Sequence, residues 1–330
     1  MPATQLIQLI DSLIDAFERS GGSGVLVSSA RAHPRKFVVT DSFGGMKVWV
    51  YAWTLTPGGR PQLKNEYRIQ MTSVTSPLEV NPDGATVLMG YEPNLKMFAG
   101  FDLAKHRTFT TGSPSVQVDV TCLHRALQDG LAFHRKGNDE IVVGVRPDQL
   151  LNYVHTSTGL HRYGSNRDTF EIISKASSLK KIRPNEMALL TGPRQRIVQT
   201  ISRIARSANF REQVLNAYGQ RCAVTRLELR LVEAAHILPV SAPQSIDHVV
   251  NGISLSPTYH RAFDTGLIYL DDSYVMKLNS KKEQFLSALK LDGGMGDFKS
   301  KLGKIHLPPD QQQWPDIDII RKANKYRGID

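Results

Sequence analysis

The sequence predicts an α+β protein of two domains: an N-terminal mixed α/β sheet domain over residues 1–180, and a C-terminal domain over 181–330 built from strand, loop and short helix with flanking helices. Three observations predict it. A chain of 330 residues is long enough for two ordinary domains, each with its own core. Apolar residues recur at helical spacing near the start and again around 196–215, whereas short β-rich runs fill the interval from about 25 to 120. The stretch from about 156 to 195 is polar and rich in Gly, Ser, Lys and Pro, which reads as the connection between the two.

Taken in order, Leu6, Ile7, Leu9, Ile10, Leu13, Ile14 and Phe17 lie at helical intervals, and SGGSG at 20–24 ends that helix with residues that tolerate turn geometry. GVLVSS, KFVVT, MKVWVYAWTL, EYRIQMTSV, ATVLMGY and KMFAGFDL follow as strands punctuated by Gly, Pro, Asn and Asp, and YEPNLKMFAGF predicts two paired strands joined across Glu92 to Lys96. VTCLHRALQDGLAFHRKG predicts a helix, EIVVGV a strand, and RPDQLLNYVHTS a further helix with Pro147 early in it. RIVQTISRIARSANFREQVLNAYGQ at 196–220 predicts two helices broken near Ser207 to Asn209. RCAVTRLELRLVEAAHILPV predicts two short strands turning near Thr225, and SAPQSIDHVV a polar loop. In NGISLSPTYHRAFDTG, Ser256 is placed to cap a helix that starts at Pro257 and runs to about Asp264.

Composition narrows the function classes. Lys and Arg number 41 against 31 Asp and Glu, a net charge of +10, and a surplus of that sign suits a polyanionic partner because each cation that meets a phosphate releases a condensed counterion. Evenly spread solubility charge would give the same total. Two cysteines, Cys122 and Cys222, exclude a disulfide framework and any four-Cys zinc knuckle and imply a reducing compartment. The N-terminus carries Asp11, Asp15 and Glu18 instead of a basic start with an apolar core, and no stretch approaches the roughly 20 apolar residues of a membrane span. A cytoplasmic protein is expected.

The chemistry-bearing residues cluster between 233 and 264. Positions four apart on a helix share a face, so His260 and Asp264 can point at one ion, and an imidazole nitrogen with a carboxylate oxygen can hold Mg²⁺, Mn²⁺, Zn²⁺ or Ni²⁺. His236, at the end of the preceding strand, can take a proton from water because its unperturbed pKa lies near neutrality. Asn251 has an amide able to fix a loop carbonyl or the imidazole of the base, an orienting role. Each residue alone has an ordinary explanation: a loop histidine, an Asn-Gly turn, an exposed helical pair.

Together, AAHI, then NG followed by LS, then HRAFD, then GLIYLDDSYVMKL resemble the HNH endonuclease domain, the ββα-metal finger, in the variant found in predicted restriction endonucleases of the Mcr type. The likeness covers about 210–280, with the finger core at about 220–280. It implies a metal-dependent endonuclease that hydrolyses phosphodiester bonds in DNA with one divalent ion, Mg²⁺ or Mn²⁺ foremost and Ni²⁺ or Zn²⁺ possible. Matched by position, His236 becomes the general base, Asn251 the orienter, His260 a metal ligand and Asp264 a further ligand one helical turn on; Arg261 becomes a candidate phosphate contact. Two departures matter. Many members carry a metal-ligating acid or His directly before the base, where this chain has Ala235, so the ion is expected to rest on His260, Asp264 and phosphate oxygens or to recruit Glu233, which strand alternation points away from His236. The paired CxxC knuckles are missing, so Leu227, Leu229, Leu231, Ile237, Leu238, Ile253 and Leu255 are expected to supply packing in place of zinc.

A finger of this kind has little sequence preference, so target choice falls to the first domain. Trp49, Tyr51 and Trp53 alternate in KVWVYAW and would line one face of a strand, as stacking residues for a modified or flipped base or as plain sheet core. By analogy of architecture, this domain is expected to read double-stranded DNA, modified or not, in a restriction or phage-defence system, with two copies of the chain cutting two strands as a homodimer. The rivals are an effector whose first domain senses a small signal and licenses unspecific DNA degradation, and a non-catalytic DNA-binding module with a degenerate finger.

Overall fold

A computed structural model describes residues 3–329 apart from 42, 43, 111, 113 and 230. By contacts the chain divides into two compact units, Met1–Ala205 and Arg206–Asp330.

In the first unit, helix α1 (Ala3–Arg19) precedes strands β1 (Ser23–Leu26), β2 (Arg35–Asp41), β3 (Gly44–Thr54), β4 (Thr56–Pro57), β5 (Glu66–Gln70), β6 (Gly84–Glu92) and β7 (Met97–Phe101). After α2 (Leu103–His106) come β8 (Ser115–Asp119), α3 (Val120–Asp129), β9 (Leu131–Arg135) and β10 (Ile141–Val145), then helices α4 (Leu150–Gly164), α5 (Arg167–Ser177), α6 (Pro184–Ala188) and the first part of α7 (Gly192–Ala217), whose residues from Arg206 on belong to the second unit. Seven strands form one sheet in the order β1-β2-β3-β6-β7-β10-β9, parallel only between β3 and β6, and β4-β5-β8 form a small second sheet. The large sheet is covered on both faces. Val48, Val50 and Ala52 of β3 join Leu9, Leu13 and Phe17 of α1 and Tyr153, Leu160, Ile172 and Ile173 of α4 and α5 in one core. Tyr51 and Trp53 join Ile69, Val116 and Val118 of the small sheet and Cys122, Leu123 and Ala126 of α3 in another. Strands covered on both sides lose the in-out alternation of a half-solvated sheet, which is why β7 and β10 are buried along their whole length.

Two expectations are corrected here. The polar stretch 156–195 is helical rather than a linker, with Leu160, Ile172, Ile173, Ala176 and Leu190 buried in the first core. The helix expected through VTCLHRALQDGLAFHRKG ends at Gly130, whose φ of 78° suits a residue without a side chain, and the rest becomes strand β9.

In the second unit the expected break at Ser207–Asn209 is absent: α7 runs continuously to Ala217, because Phe210, Val214 and Leu215 bury a stripe against the core. The remaining elements are β11 (Glu233–His236), β12 (Gly252–Leu255), α8 (Pro257–Asp264), β13 (Ile268–Leu270), β14 (Val275–Leu278), α9 (Ser280–Ala288), α10 (Met295–Ser300), β15 (Gly303–Lys304) and α11 (Ile317–Tyr326). The expected strand before β11 does not form. Residues 222–227 instead close a turn, Arg226 donating its N–H to the Cys222 carbonyl (2.9 Å), and Leu227, Leu229 and Leu231 stay exposed. The packing assigned to those leucines comes from Tyr218, Phe263, Ile268 and Ile320, alongside Ile237, Leu238, Ile253 and Leu255 as expected.

Among the described residues no helix is long and apolar enough to cross a membrane.

Candidate functional site

β11 and β12 pair antiparallel with His236 opposite Gly252 and Ala235 opposite Ile253, and α8 follows directly. Ser256 has the extended backbone of a cap (φ −68°, ψ 155°) but makes no side-chain capping bond, and Pro257 opens the helix, where its missing N–H costs nothing. Strand, strand and helix thus come from one short segment, with the loop 237–248 between the strands.

His236 ends β11 with its side chain mostly covered. Its ring stacks on Phe210 of α7, centroids 3.8 Å apart and planes 13° from parallel, and Nε2 meets Asp247 Oδ1 at 2.9 Å. An ionised carboxylate can only accept, so Nε2 carries the proton and Nδ1 keeps a lone pair. Burial lowers the pKa of His236, and the Asp247 hydrogen bond and charge oppose it without reversing it, so the ring stays neutral at lower pH than an ordinary histidine. Sequence reasoning did not single out Asp247. It lies in a loop of no recognisable pattern, and only folding brings it to the ring.

Asn251 is fully buried and holds that loop. Its Oδ1 accepts from the Leu238 N–H (2.8 Å), and Nδ2 donates to the Leu238 carbonyl (3.2 Å), Ser245 Oγ (3.3 Å) and the Ile246 carbonyl (2.9 Å). A buried amide so satisfied touches no ligand; it fixes the backbone that presents Asp247 to His236. His248 caps the next turn, its Nδ1 accepting from Val250 N–H.

His260 stands between two carboxylates. Nδ1 meets Glu233 Oε2 at 2.6 Å and Nε2 lies 3.4 Å from Asp264 Oδ2, one helical turn on. Burial pulls the His260 pKa down, but the Glu233 hydrogen bond and the two negative charges outweigh it and hold the ring above its ordinary value. Glu233 is itself held low by the hydrogen bond to His260. Glu233, which alternation was expected to point away from His236, has a side chain long enough to reach α8 and bond His260 itself.

Among the described residues no three His, Cys, Asp or Glu side chains are gathered to hold a metal ion together. The donor chemistry still fits a divalent ion at two of them. His260 Nε2 and Asp264 Oδ2 are about as far apart as two adjacent ligands with bonds of about 2.1 Å, and Glu233 on Nδ1 is the carboxylate partner that orients a ligating imidazole. Ala235 is fully buried in the core and contributes no donor. Arg261 projects exposed from the same helix.

The aromatic trio of the first unit is only partly available. Tyr51 and Trp53 are 2% and 5% exposed, and His33 stacks on Trp53 at 4.3 Å beside buried Arg35, so neither ring offers an open stacking face. The small sheet and α3 lie over them, which corrects their assignment as DNA-contacting residues. Trp49 is half-buried, with Lys36 Nζ 4.2 Å over its ring. Several nearby basic side chains are engaged within the unit: Arg35 with the Ala52 carbonyl, Arg60 with Glu66, His106 with Glu140.

Comparison with known proteins matches residues 222–271 to the family described as HNH endonuclease and residues 46–154 to that described as Methylase-associated X1. One solved structure, a "Modification dependent TagI restriction endonuclease", aligns over 84% of this chain and 81% of that chain at 14% sequence identity and a TM-score of 0.30, a likeness that carries no argument. No match is found among curated proteins.

Proposed function

With residues 222–271 an HNH endonuclease domain, and the chain therefore a nuclease that hydrolyses phosphodiester bonds, we propose that it is a metal-dependent DNA endonuclease of a restriction or phage-defence system, in which the first unit reads the target and the second cuts it. The observation that carries the reading is the coincidence of that match with two histidines on adjacent elements, each held by its own carboxylate: His236 by Asp247 and His260 by Glu233.

His236 Nδ1 is the acceptor for the proton of the attacking water, with Asp247 fixing the tautomer and stabilising the imidazolium that forms. The water oxygen bonds to phosphorus as the P–O3′ bond breaks, its proton passes to His236, and the leaving 3′ oxygen takes a proton from solvent. His260 and Asp264 would hold one divalent ion through one imidazole nitrogen and one carboxylate oxygen, Mg²⁺ or Mn²⁺ foremost, with phosphate oxygens completing the set. Held there, such an ion would supply Lewis-acid stabilisation of the scissile phosphate and of the leaving oxygen. Asn251 positions Asp247 through the loop, and Arg261 is placed to meet a backbone phosphate. In the first unit, Trp49 with Lys36 is the aromatic and cationic pair that remains open to a base. Double-strand cleavage by one finger per chain calls for a homodimer or two successive nicks.

Plasmid from methylating and non-methylating hosts, incubated with Mg²⁺, Mn²⁺, Ni²⁺ or EDTA, tests this directly. Cleavage of the methylated plasmid alone, lost with EDTA and in His236→Ala and His260→Ala, is the expected result; cleavage undiminished in both variants would remove the assignment. Buried Ala235 favours one competing reading, a finger that binds DNA without cutting, and binding without cleavage under every metal would select it.

A further inference from the structure

The family match ends at residue 271, yet a side chain from the far C-terminal region reaches the site. Helix α11 is docked on the finger by buried Ile320 and Ala323 and by Asn324 Nδ2, which donates to the Leu270 carbonyl at 2.9 Å. One residue past its end, the Arg327 guanidinium lies 4.6 Å from the centre of the Phe263 ring, and its Nη1 donates to the Ile237 carbonyl at 2.7 Å. Ile237 is the neighbour of His236, and Phe263 the neighbour of Asp264. One side chain therefore touches both the strand end that carries His236 and the helix that carries His260 and Asp264.

Its remaining donors are unusual. Nε and Nη2 are buried and have no hydrogen-bond partner among the described residues. Unpaired buried donors on a cation are costly, and a residue needed only to pack against Phe263 would carry none. Burial lowers the pKa of the Arg327 guanidinium, and the negative charge of Asp264 opposes this without reversing it.

We propose that Arg327 is a positioning residue of the nuclease site, holding the His236 strand end and the helix that carries His260 and Asp264 in register through a single planar group that bonds the Ile237 carbonyl and packs on Phe263; this rests on the functional reading above. Lys cannot replace it, since one ammonium group cannot bond the Ile237 carbonyl and lie flat against the Phe263 ring together. The role belongs to this chain's C-terminal extension and lies outside the segment that matches the family.

The test compares Arg327→Lys and Arg327→Met with the parent, each first checked for folding by thermal unfolding. A displacement of about 1 Å in a catalytic group costs on the order of 100-fold. Arg327→Met should therefore lose roughly that factor in kcat and Arg327→Lys about tenfold, both with KM for plasmid within about threefold of the parent. If Arg327→Met does not fold, Arg327→Lys carries the test. Imidazole resonances of His236 and His260, recorded without metal or DNA, give a reading independent of cleavage: they should move in either variant while those of His248 stay. Parent kcat in Arg327→Lys, or unmoved His236 and His260 resonances where the parent itself does not cut, overturns the assignment. A parent inactive under every metal, with resonances that do move, would count against the nuclease reading and not against the positioning role.

Discussion

At the residue scale, the two histidines are set to opposite protonation behaviour by their surroundings. His260 holds its proton more strongly folded than unfolded, so its contribution to stability is complete below its ordinary value of 6.5 and is lost as pH rises through the raised folded value. Urea midpoints of the metal-free protein between about pH 6 and about pH 8.5 should fall more steeply for the parent than for Glu233→Gln, by under about 1 kcal/mol because Glu233 is half exposed and screened. Parallel curves would mean that the Glu233–His260 bond does not persist in solution. A divalent ion must displace that proton, so its binding should weaken as pH falls. His236 behaves in the reverse way. Burial already lowers its pKa and Asp247 opposes the lowering, so Asp247→Asn should lower it further. Its cleavage should then show an acid limb at lower pH than the parent's and a kcat about 10- to 100-fold down, the usual cost of removing a partner that orients a functional histidine. An acid limb that stays in place while the rate drops would argue that His236 is not the group taking the proton.

At the element scale, the finger was legible because it is local: AAHI, NG, HRAFD and the following hairpin carry their geometry within one segment, and β11, β12, α8, β13 and β14 form there. What supports the finger was not legible, because it comes from residues far along the chain or from side-chain reach. Glu233 reaches His260 across the sheet edge, Asp247 arrives from an unpatterned loop, and Phe210 comes from a helix whose polar run at Ser207–Asn209 looked like a break. Gly252 shows the same limit. Asn-Gly suggests a turn, yet Gly252 is extended (φ −122°) and is needed for space: a Cβ there would stand 2.2 Å from Val214 Cγ2 and 3.2 Å from the Phe210 ring. Gly252→Ala should therefore push α7 off the sheet, cost about 1–3 kcal/mol in denaturant unfolding, and loosen the Phe210–His236 stack. An Ala variant with parent stability would show that α7 packs less tightly than this. In the first unit the aromatic alternation of β3 was readable, but not that both faces of the sheet are covered, since burial depends on how α1, α3 and the small sheet pack over the strand, which its own pattern does not encode.

At the scale of the whole molecule, the chain joins a unit matching a methylase-associated domain to one matching a nuclease, and the proposal divides reading from cutting along that line. The division is testable because the two tasks should fail separately. His260→Ala removes a candidate ligand in the second unit and leaves the first untouched, so it should abolish cleavage while still binding methylated duplex more tightly than unmethylated duplex. Trp49→Ala removes a half-buried ring whose loss the sheet can tolerate, and it should retain nicking activity while losing the preference for the methylated plasmid. Tyr51→Ala is the control for burial. It empties a space in the second core of the first unit and should lower stability by about 3–5 kcal/mol, the range for removing a large buried aromatic. Binding should be measured at several salt concentrations. A surplus of ten positive charges supplies a sequence-independent attraction that falls steeply with salt, and discrimination that belongs to the first unit should survive when that term is screened. If His260→Ala loses the methylation preference together with cleavage, or if Trp49→Ala keeps it in full, target reading does not reside where the proposal puts it.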